Sequence, residues 1–195
     1  MALKNIIFFH FLLLCGYFAF AQNKNEREHR ILKSQFPEKA LGYISEKLDG
    51  ARRIRFYKEV DSAKVSYEAK FKKERLWYSI EFDKHGSLED IEIVIQATDI
   101  PKETFAQINS YLASSFIKYR IRRMQQQYPV SESGNPETTI KNAFQNLLLP
   151  SINYELVVAG KKDGHFEQYE ILFDANGSFR SVRKSLPPNY DHILY

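Results

Sequence analysis

The spacing of Asp174, Asn176 and Ser178, at every second position of the chain, is the first pattern that could carry chemistry. Oxygen-bearing side chains at positions one, three and five open the calcium loop of an EF-hand, which then needs glycine at position six and glutamate at position twelve. Phe179 and Ser185 stand at those two positions. We therefore interpret the segment as a hairpin turn, and the sequence predicts neither a bound metal nor another cofactor.

Other residue types that could support catalysis lack the spacings that catalysis needs. No two histidines stand at the spacing of a zinc-binding helix motif. Ser87 and Ser178 each follow a glycine, but neither lies between a strand and a helix, as the nucleophile of a hydrolase does. We interpret Glu89, Asp90 and Glu92 as a solvated group on a strand edge. The sequence thus predicts a protein that is not an enzyme, with a metal-dependent hydrolase left open as an alternative.

Two basic segments form the most suggestive charged feature. Strand alternation places Lys118, Arg120 and Arg122 on one face, and Arg55 and Tyr57 share a face in the other segment. If the two strands are neighbours, they form one positive stripe with Tyr57 at its margin, suited to an acidic protein surface or an anionic polymer. The alternative is a solvated face whose charges are balanced by glutamates on adjacent strands. Those glutamates are Glu68, Glu81, Glu155 and Glu170.

The single tryptophan, Trp77, lies on the polar side of its predicted strand. Alternation groups it with Ser79 and Glu81 and sets it opposite Tyr78 and Ile80. A large aromatic side chain on a polar sheet face is a candidate anchor for a protein partner. The alternative is that Trp77 packs over a neighbouring strand or under an inserted helix.

Residues 1–21 have the composition of a secretory signal peptide. Lys4 lies in a short basic start, the run over 6–20 is almost wholly apolar, and Ala19 and Ala21 form a small-x-small cleavage pattern. We expect an exported protein, located in the periplasm or outside the cell.

Cleavage would leave a chain without cysteine, because Cys15 is the only one. Disulfides and thiolate chemistry are then excluded. The whole chain of 195 residues carries 28 Lys+Arg against 24 Asp+Glu, a net charge of +4, so we expect no nucleic-acid partner for an exported form. No second apolar run approaches membrane length, which predicts no membrane span after cleavage. An uncleaved anchor and a lipoprotein attached through Cys15 are the alternatives.

The elements that must position these residues repeat along the chain. Asp83 to Gly86 recurs as Asp174 to Gly177, each between strands of period two, and a proline-initiated helix precedes each copy. The pattern predicts an α+β fold of two tandem helix-plus-four-stranded antiparallel sheet units, with the helices packed on one sheet face. The predicted boundaries are 22–98 for the first unit, 99–186 for the second with an inserted helix over 136–148, and 187–195 for a C-terminal tail.

This pattern resembles the bacterial PepSY-like family, also called beta-lactamase-inhibitor-like domains. The resemblance rests on the signal peptide, the prolines before each unit, and the hairpins that begin Phe82-Asp83 and Phe173-Asp174. It implies tandem helix-plus-sheet units in an exported protein with a binding or inhibitory role. The insertion between Gln125 and Leu149, and a first strand without tryptophan, depart from the family pattern.

We therefore predict an exported, non-enzymatic binding module, inhibitor-like in its action on another envelope or extracellular protein. The open sheet face would be its contact surface. The candidate partner-binding residues are Trp77, Tyr57, Arg55, Lys118, Arg120 and Arg122. The alternative function is a carrier of a small or polymeric anionic ligand in a groove between sheet and helices.

Overall fold

The structure is a computed structural model that describes residues 22–24, 26–61 and 64–185. The predicted signal peptide and the predicted tail over 187–195 lie outside those residues. The strands are β1 (Gln22–Lys24), β2 (Glu26–Ile31), β3 (Arg52–Asp61), β4 (Lys64–Lys73), β5 (Leu76–Asp83), β6 (Leu88–Val94), β7 (Lys118–Pro129), β8 (Asn153–Lys162), β9 (His165–Asp174) and β10 (Phe179–Ser185). The helices are α1 (Glu38–Leu48), α2 (Lys102–Ser115), α3 (Val130–Ser133) and α4 (Pro136–Phe144).

All of these strands belong to one sheet, in the order β1-β10-β9-β8-β7-β6-β5-β4-β3-β2. Neighbouring strands are antiparallel, except that β1 runs parallel to β10. The apolar faces of α1, α2 and α4 join the apolar side of the sheet in a single core. The predicted α+β class, with helices packed on one face of an antiparallel sheet, is confirmed.

The helices begin and end where local residue types require it. Pro37 and Pro101 precede α1 and α2 at their N-caps, as expected for a residue without a backbone N–H to satisfy. Asn135 caps α4, because its side chain accepts a hydrogen bond from the backbone N–H of Thr138 at 2.8 Å. The predicted helix over 136–148 was too long: α4 ends at Phe144, and a four-residue helix, α3, precedes it.

Two matching hairpin turns rest on the starts of the two long helices. In each turn the Oδ1 of Asp83 or Asp174 accepts backbone N–H bonds from the residues two and four positions later, at 2.8 to 2.9 Å. Gly86 and Gly177 follow with φ of +74° and +85°. A Cβ at Gly177 would stand 2.5 Å from the carbonyl oxygen of Thr104 in α2, so glycine is needed there for both conformation and space.

The two short N-terminal strands, which the sequence did not predict, show how strongly the sheet curves. Lys24 of β1 pairs with Ser185 at one edge of the sheet, and Glu26 of β2 pairs with Asp61 at the other. In a flat sheet of ten strands those edges would lie about 43 Å apart, at about 4.8 Å per strand spacing. Because only one residue separates β1 from β2 in the chain, the sheet must curl far enough to bring its two outer corners, at Lys24 and Glu26, close together.

Candidate functional site

The burial of its side chains places the polar face of the sheet on the inside of this curve. Glu68, Glu92 and Gln125 are only 4%, 6% and 3% exposed, although the described helices pack against the opposite face. We call this surface the concave face. Strand alternation and register assign to it Glu68, Ser79, Glu81, Asp90, Glu92, Gln125, Gln127, Asn153, Glu155 and Glu170.

One acidic cluster on the concave face contains its own cation. Carboxylate oxygens of Glu28, Glu59 and Glu68 lie within 4.8 Å of one another. The Lys70 ammonium lies 2.7 Å from Oε1 of Glu28 and 2.7 Å from Oε2 of Glu68. We call this group the Lys70 cluster.

The pKa shifts in the Lys70 cluster follow from this pairing. Burial alone would raise the pKa of the Glu68 carboxyl, but the Lys70 ammonium and the Ser79 hydroxyl, which donates to it, bring that pKa below its ordinary value. Burial alone would lower the pKa of Lys70, but Glu68 and Glu28 raise it. The negative charge in this cluster is therefore offset from within the chain.

A second acidic cluster lies next to it in the sheet and has no such ammonium. One carboxylate oxygen from each of Glu81, Asp90 and Glu92 lies within 4.8 Å of the other two. Two amides donate to this group: Nε2 of Gln125 to Glu92, and Nε2 of Gln127 to Asp90 at 3.0 Å. We call this group the Glu81 cluster. No Lys, Arg or His of the described part of the chain forms an ion pair with it.

Burial and mutual repulsion raise the pKa of each carboxyl in the Glu81 cluster. Burial, followed by the charges of Glu155 and other carboxylates, raises the pKa of Asp90 to about 7. The pKa values of Glu81 and Glu92 are raised well above their ordinary range, first by burial and then by neighbouring carboxylates, and the charge of Arg123 offsets only part of the rise at Glu92. The interpretation of Asp90 and Glu92 as a solvated strand edge was wrong, because β6 lies within the sheet between β5 and β7.

In the second half of the sheet an arginine supplies the balancing charge. Arg183 of β10 lies 3.6 Å from Glu170 of β9. These residues and Gln127, Glu155 and Ser181 line a cavity of about 390 Å³ on the concave face. Glu68 and Glu170 thus have cations within 4 Å, but these are Lys70 of β4 and Arg183 of β10 and not residues of the two basic strands that the sequence analysis expected them to balance.

The two basic strands are not neighbours. β4, β5 and β6 lie between β3 and β7, so the continuous positive stripe predicted from the sequence does not form. Arg122 is the extra residue of a bulge in β7, since Ile121 pairs with Val158 and Arg123 with Val157. The regular alternation that the sequence predicts from Lys118 through Arg120 is therefore interrupted at Arg122, and Arg123 takes the next paired position.

Lys118 and Arg120 are exposed and lie beside apolar side chains that the sequence analysis missed. Lys118 pairs with Lys161, which pairs with Phe166 in the next strand. Phe166 is 58% exposed, and Ile117, whose backbone N–H donates to Lys161 at 3.1 Å, is 73% exposed. We call these five residues the basic patch. The only feature of the sequence that could have indicated an exposed Phe166 is its position beside a polar turn.

The remaining candidate residues lie on β3 and β5. Trp77 is half-buried, and the guanidinium of Arg53 stands 5.6 Å from the centre of its ring. A neighbouring basic side chain therefore covers part of the tryptophan. Arg53 has φ of +56° at a bulge before the exposed Arg55. Tyr57 is only 6% exposed and its ring lies 5.0 Å from the Lys70 ammonium, so it supports Lys70 and does not face a partner.

A separate groove lies on the helical side, between α1 and α4. Its volume is about 610 Å³, and Lys39, Lys47 and Lys141 line it together with Tyr43 and Phe144. Ammonium groups and aromatic rings in one groove can hold an anionic ligand with an apolar body.

No helix in the described residues is long and apolar enough to cross a membrane. No family model matches the sequence, and no curated protein matches it significantly. Among solved structures, a DUF2874 family protein from Bacteroides ovatus is 9% identical, with a TM-score of 0.49 over 76% of this chain and 86% of that chain. A BLIP-like protein from Bacteroides fragilis is 13% identical, with a TM-score of 0.49 over 82% of this chain and 93% of that chain.

A third structure comes from Bacteroides thetaiotaomicron and is provisionally described as a calcium-regulated periplasmic protein. It is 17% identical, with a TM-score of 0.30 over 80% of this chain and 97% of that chain. The beta-lactamase-inhibitor-like name expected from the sequence is thus found among the structural neighbours. Membership of the PepSY-like family stays a prediction.

Proposed function

We propose that this chain is an exported, non-enzymatic binding module whose basic patch contacts an acidic surface of another envelope or extracellular protein. The observation that carries the proposal is the exposed Phe166 side chain, which lies in one row with Lys161 and Lys118. An exposed aromatic side chain beside basic side chains is a candidate anchor for an acidic protein surface. The PepSY-like resemblance, with its inhibitory role, is in keeping with this function.

The Arg53–Trp77 pair extends the same surface. Trp77 lies two strands away from β7 and about five residues along it from Arg120, which places the two about 20 Å apart. An interface of about 800 Å² per partner is about 30 Å across and can cover both. Tryptophan and arginine are among the residue types that most often carry binding energy, and here the two side chains already contact each other in the free chain.

Capture experiments from the native envelope and culture medium test this proposal. We expect the immobilised protein to retain a partner that Phe166→Ala and Arg120→Glu lose, with retention falling as salt rises because exposed charge contacts are screened. Lys102→Glu is the matched control, since Lys102 is exposed on α2 on the helical side. Equal capture by all of these proteins would contradict the proposed surface.

A second candidate function, a carrier of anionic ligands, is favoured by the groove between α1 and α4. Its volume of about 610 Å³ lies in the range of small-molecule sites. An anionic fluorescent probe, 8-anilinonaphthalene-1-sulfonate, should bind there with an affinity that Lys141→Glu reduces and Lys102→Glu leaves unchanged. Equal binding to both variants would exclude the groove as the binding site of the probe.

A further inference from the structure

We propose that the Glu81 cluster is a binding site for a divalent cation and that Ca²⁺ is the ion its donors fit. Glu81, Asp90 and Glu92 would supply the carboxylate ligands from β5 and β6, inside the curve of the sheet. This site is distinct from the basic patch and from the helical groove.

The comparison of the two acidic clusters gives the first argument. Both lie on the concave face, and each brings three carboxylates within 4.8 Å. In the Lys70 cluster an ammonium stands at 2.7 Å from two of them, whereas no cationic side chain of the described residues pairs with Glu81, Asp90 or Glu92. Buried carboxylates are stable when they are paired or when they coordinate a metal. Among the described residues the carboxylates of the Glu81 cluster have no paired cation, and their arrangement suits coordination of a metal.

An unpartnered amide oxygen gives a second, independent argument. Gln125 is 3% exposed, and its Oε1 has no hydrogen-bond partner among the residues that the structure describes, although its Nε2 donates to Glu92. A buried acceptor without a donor is costly, and it is satisfied if a cation stands near it. In the structure Nε2 faces Glu92 and Oε1 does not. Rotating the amide by 180° gives up that hydrogen bond and turns Oε1 toward Glu92, where a cation between the two oxygens would bind both. One oxygen of Asp90 is likewise buried without a hydrogen-bond donor.

The chemistry of the donors selects the kind of ion. The cluster offers only oxygen atoms, with no histidine or cysteine, which favours hard cations over zinc or copper. Two oxygens on opposite sides of Ca²⁺ lie about 4.8 Å apart, given Ca–O distances of about 2.4 Å. The cluster's oxygens fall within that span. Ca²⁺ also tolerates irregular geometry, whereas Mg²⁺ demands a near-ideal octahedron and retains its water.

Titration of the purified, chelator-treated protein with CaCl₂ tests the site. We expect one saturable site by isothermal titration calorimetry and a rise in melting temperature on adding Ca²⁺. Glu92→Gln and Asp90→Asn should each weaken Ca²⁺ binding at least about tenfold, since even the substitution of a residue that only supports a metal ligand lowers affinity by that factor. Both variants should fold, because each removes buried negative charge with little change of volume. If circular dichroism shows that one variant does not fold, Ca²⁺ binding by the other variant tests the location of the site.

Glu59→Gln is the matched control, because it makes the same exchange on the same face but within the Lys70 cluster. It should bind Ca²⁺ as tightly as the unmodified protein does. Absence of binding up to about 10 mM, above the range of extracellular calcium modules, would overturn the proposal. Undiminished binding by Glu92→Gln and Asp90→Asn would overturn the location, and equally tight binding of Mg²⁺ would overturn the assignment to calcium.

Discussion

Glu92→Gln should stabilise the metal-free protein at pH 8. Folding brings Glu81, Asp90 and Glu92 together inside the sheet, where burial and repulsion raise the pKa of all three. A carboxyl whose pKa is raised on folding makes the folded state take up protons. The folded state is therefore most stable at a pH below the pKa that these carboxyls have in the unfolded chain, near 4, and it loses stability as the pH rises toward 7. A neutral amide at position 92 removes one of the three charges that cause the fall.

The size of the effect follows from the Asp90 carboxyl. A rise in its pKa from 3.8 to about 7 corresponds to about 4 kcal/mol, at about 1.4 kcal/mol for each pKa unit. This cost belongs to the cluster as a whole, because the three carboxyls repel one another. Removing one charge of the three should recover about 1–2 kcal/mol at pH 8, or roughly 2–8 °C in melting temperature for a chain of this size.

Thermal and urea unfolding in excess chelator, at pH 5 and pH 8, measure this effect. Glu92→Gln should gain stability over the unmodified protein at pH 8 and gain little at pH 5, where much of the cluster is already protonated. Glu103→Gln, an exposed position in the first turn of α2, is the control for the loss of one charge. An unmodified protein as stable at pH 8 as at pH 5, or a variant that is destabilised equally at both, would refute the reasoning.

Three further predictions concern other parts of the fold. Lys70→Met should cost about 2–3 kcal/mol at pH 7, less than the full penalty for a buried pair because Lys70 is one-third exposed. Because burial without Lys70 raises the pKa of Glu68, which Lys70 otherwise lowers, urea unfolding should show that deficit shrinking as the pH falls from 7 toward 4. Gly177→Ala should cost more than about 2 kcal/mol in urea unfolding, and more than Gly164→Ala, because both have positive φ but only Gly177 lacks space for a Cβ. Phe166→Ala should leave the melting temperature within about 1 °C, because the ring is 58% exposed, while it abolishes partner capture.

Strand alternation in the sequence was enough to predict the fold class and the polar side of most strands. Trp77, Ser79 and Glu81 share the face that period two assigns to them. Alternation is a local property, however, and it is interrupted at a bulge, where Arg122 is the extra residue and Arg123 takes the next paired position. It also carries no information about which strands become neighbours. The separation of β3 from β7 therefore had to come from the structure.

The burial of Glu92 was missed for a related reason. A polar face of an antiparallel sheet usually meets solvent, so the sequence favoured a solvated interpretation of its carboxylates. The curvature that buries them is revealed by β1 and β2, which pair with opposite edges of the sheet. That pairing joins residues more than 30 positions apart in the chain, Glu26 with Asp61 and Lys24 with Ser185, and no local pattern marks it.

The two halves of the chain indicate that the Glu81 cluster is not a requirement of the fold. Ser79 pairs with Glu92 in the first half, and Glu170 pairs with Arg183 in the second, each partner lying 91 positions after its counterpart. The same place in the sheet thus holds a glutamate in one half and an arginine in the other. Arg183 offsets the charge of Glu170, whereas Glu92 adds a third negative charge to its neighbours. Since the fold accommodates a compensating cation at this position, the accumulation of acid in the first half is better explained by a ligand than by packing.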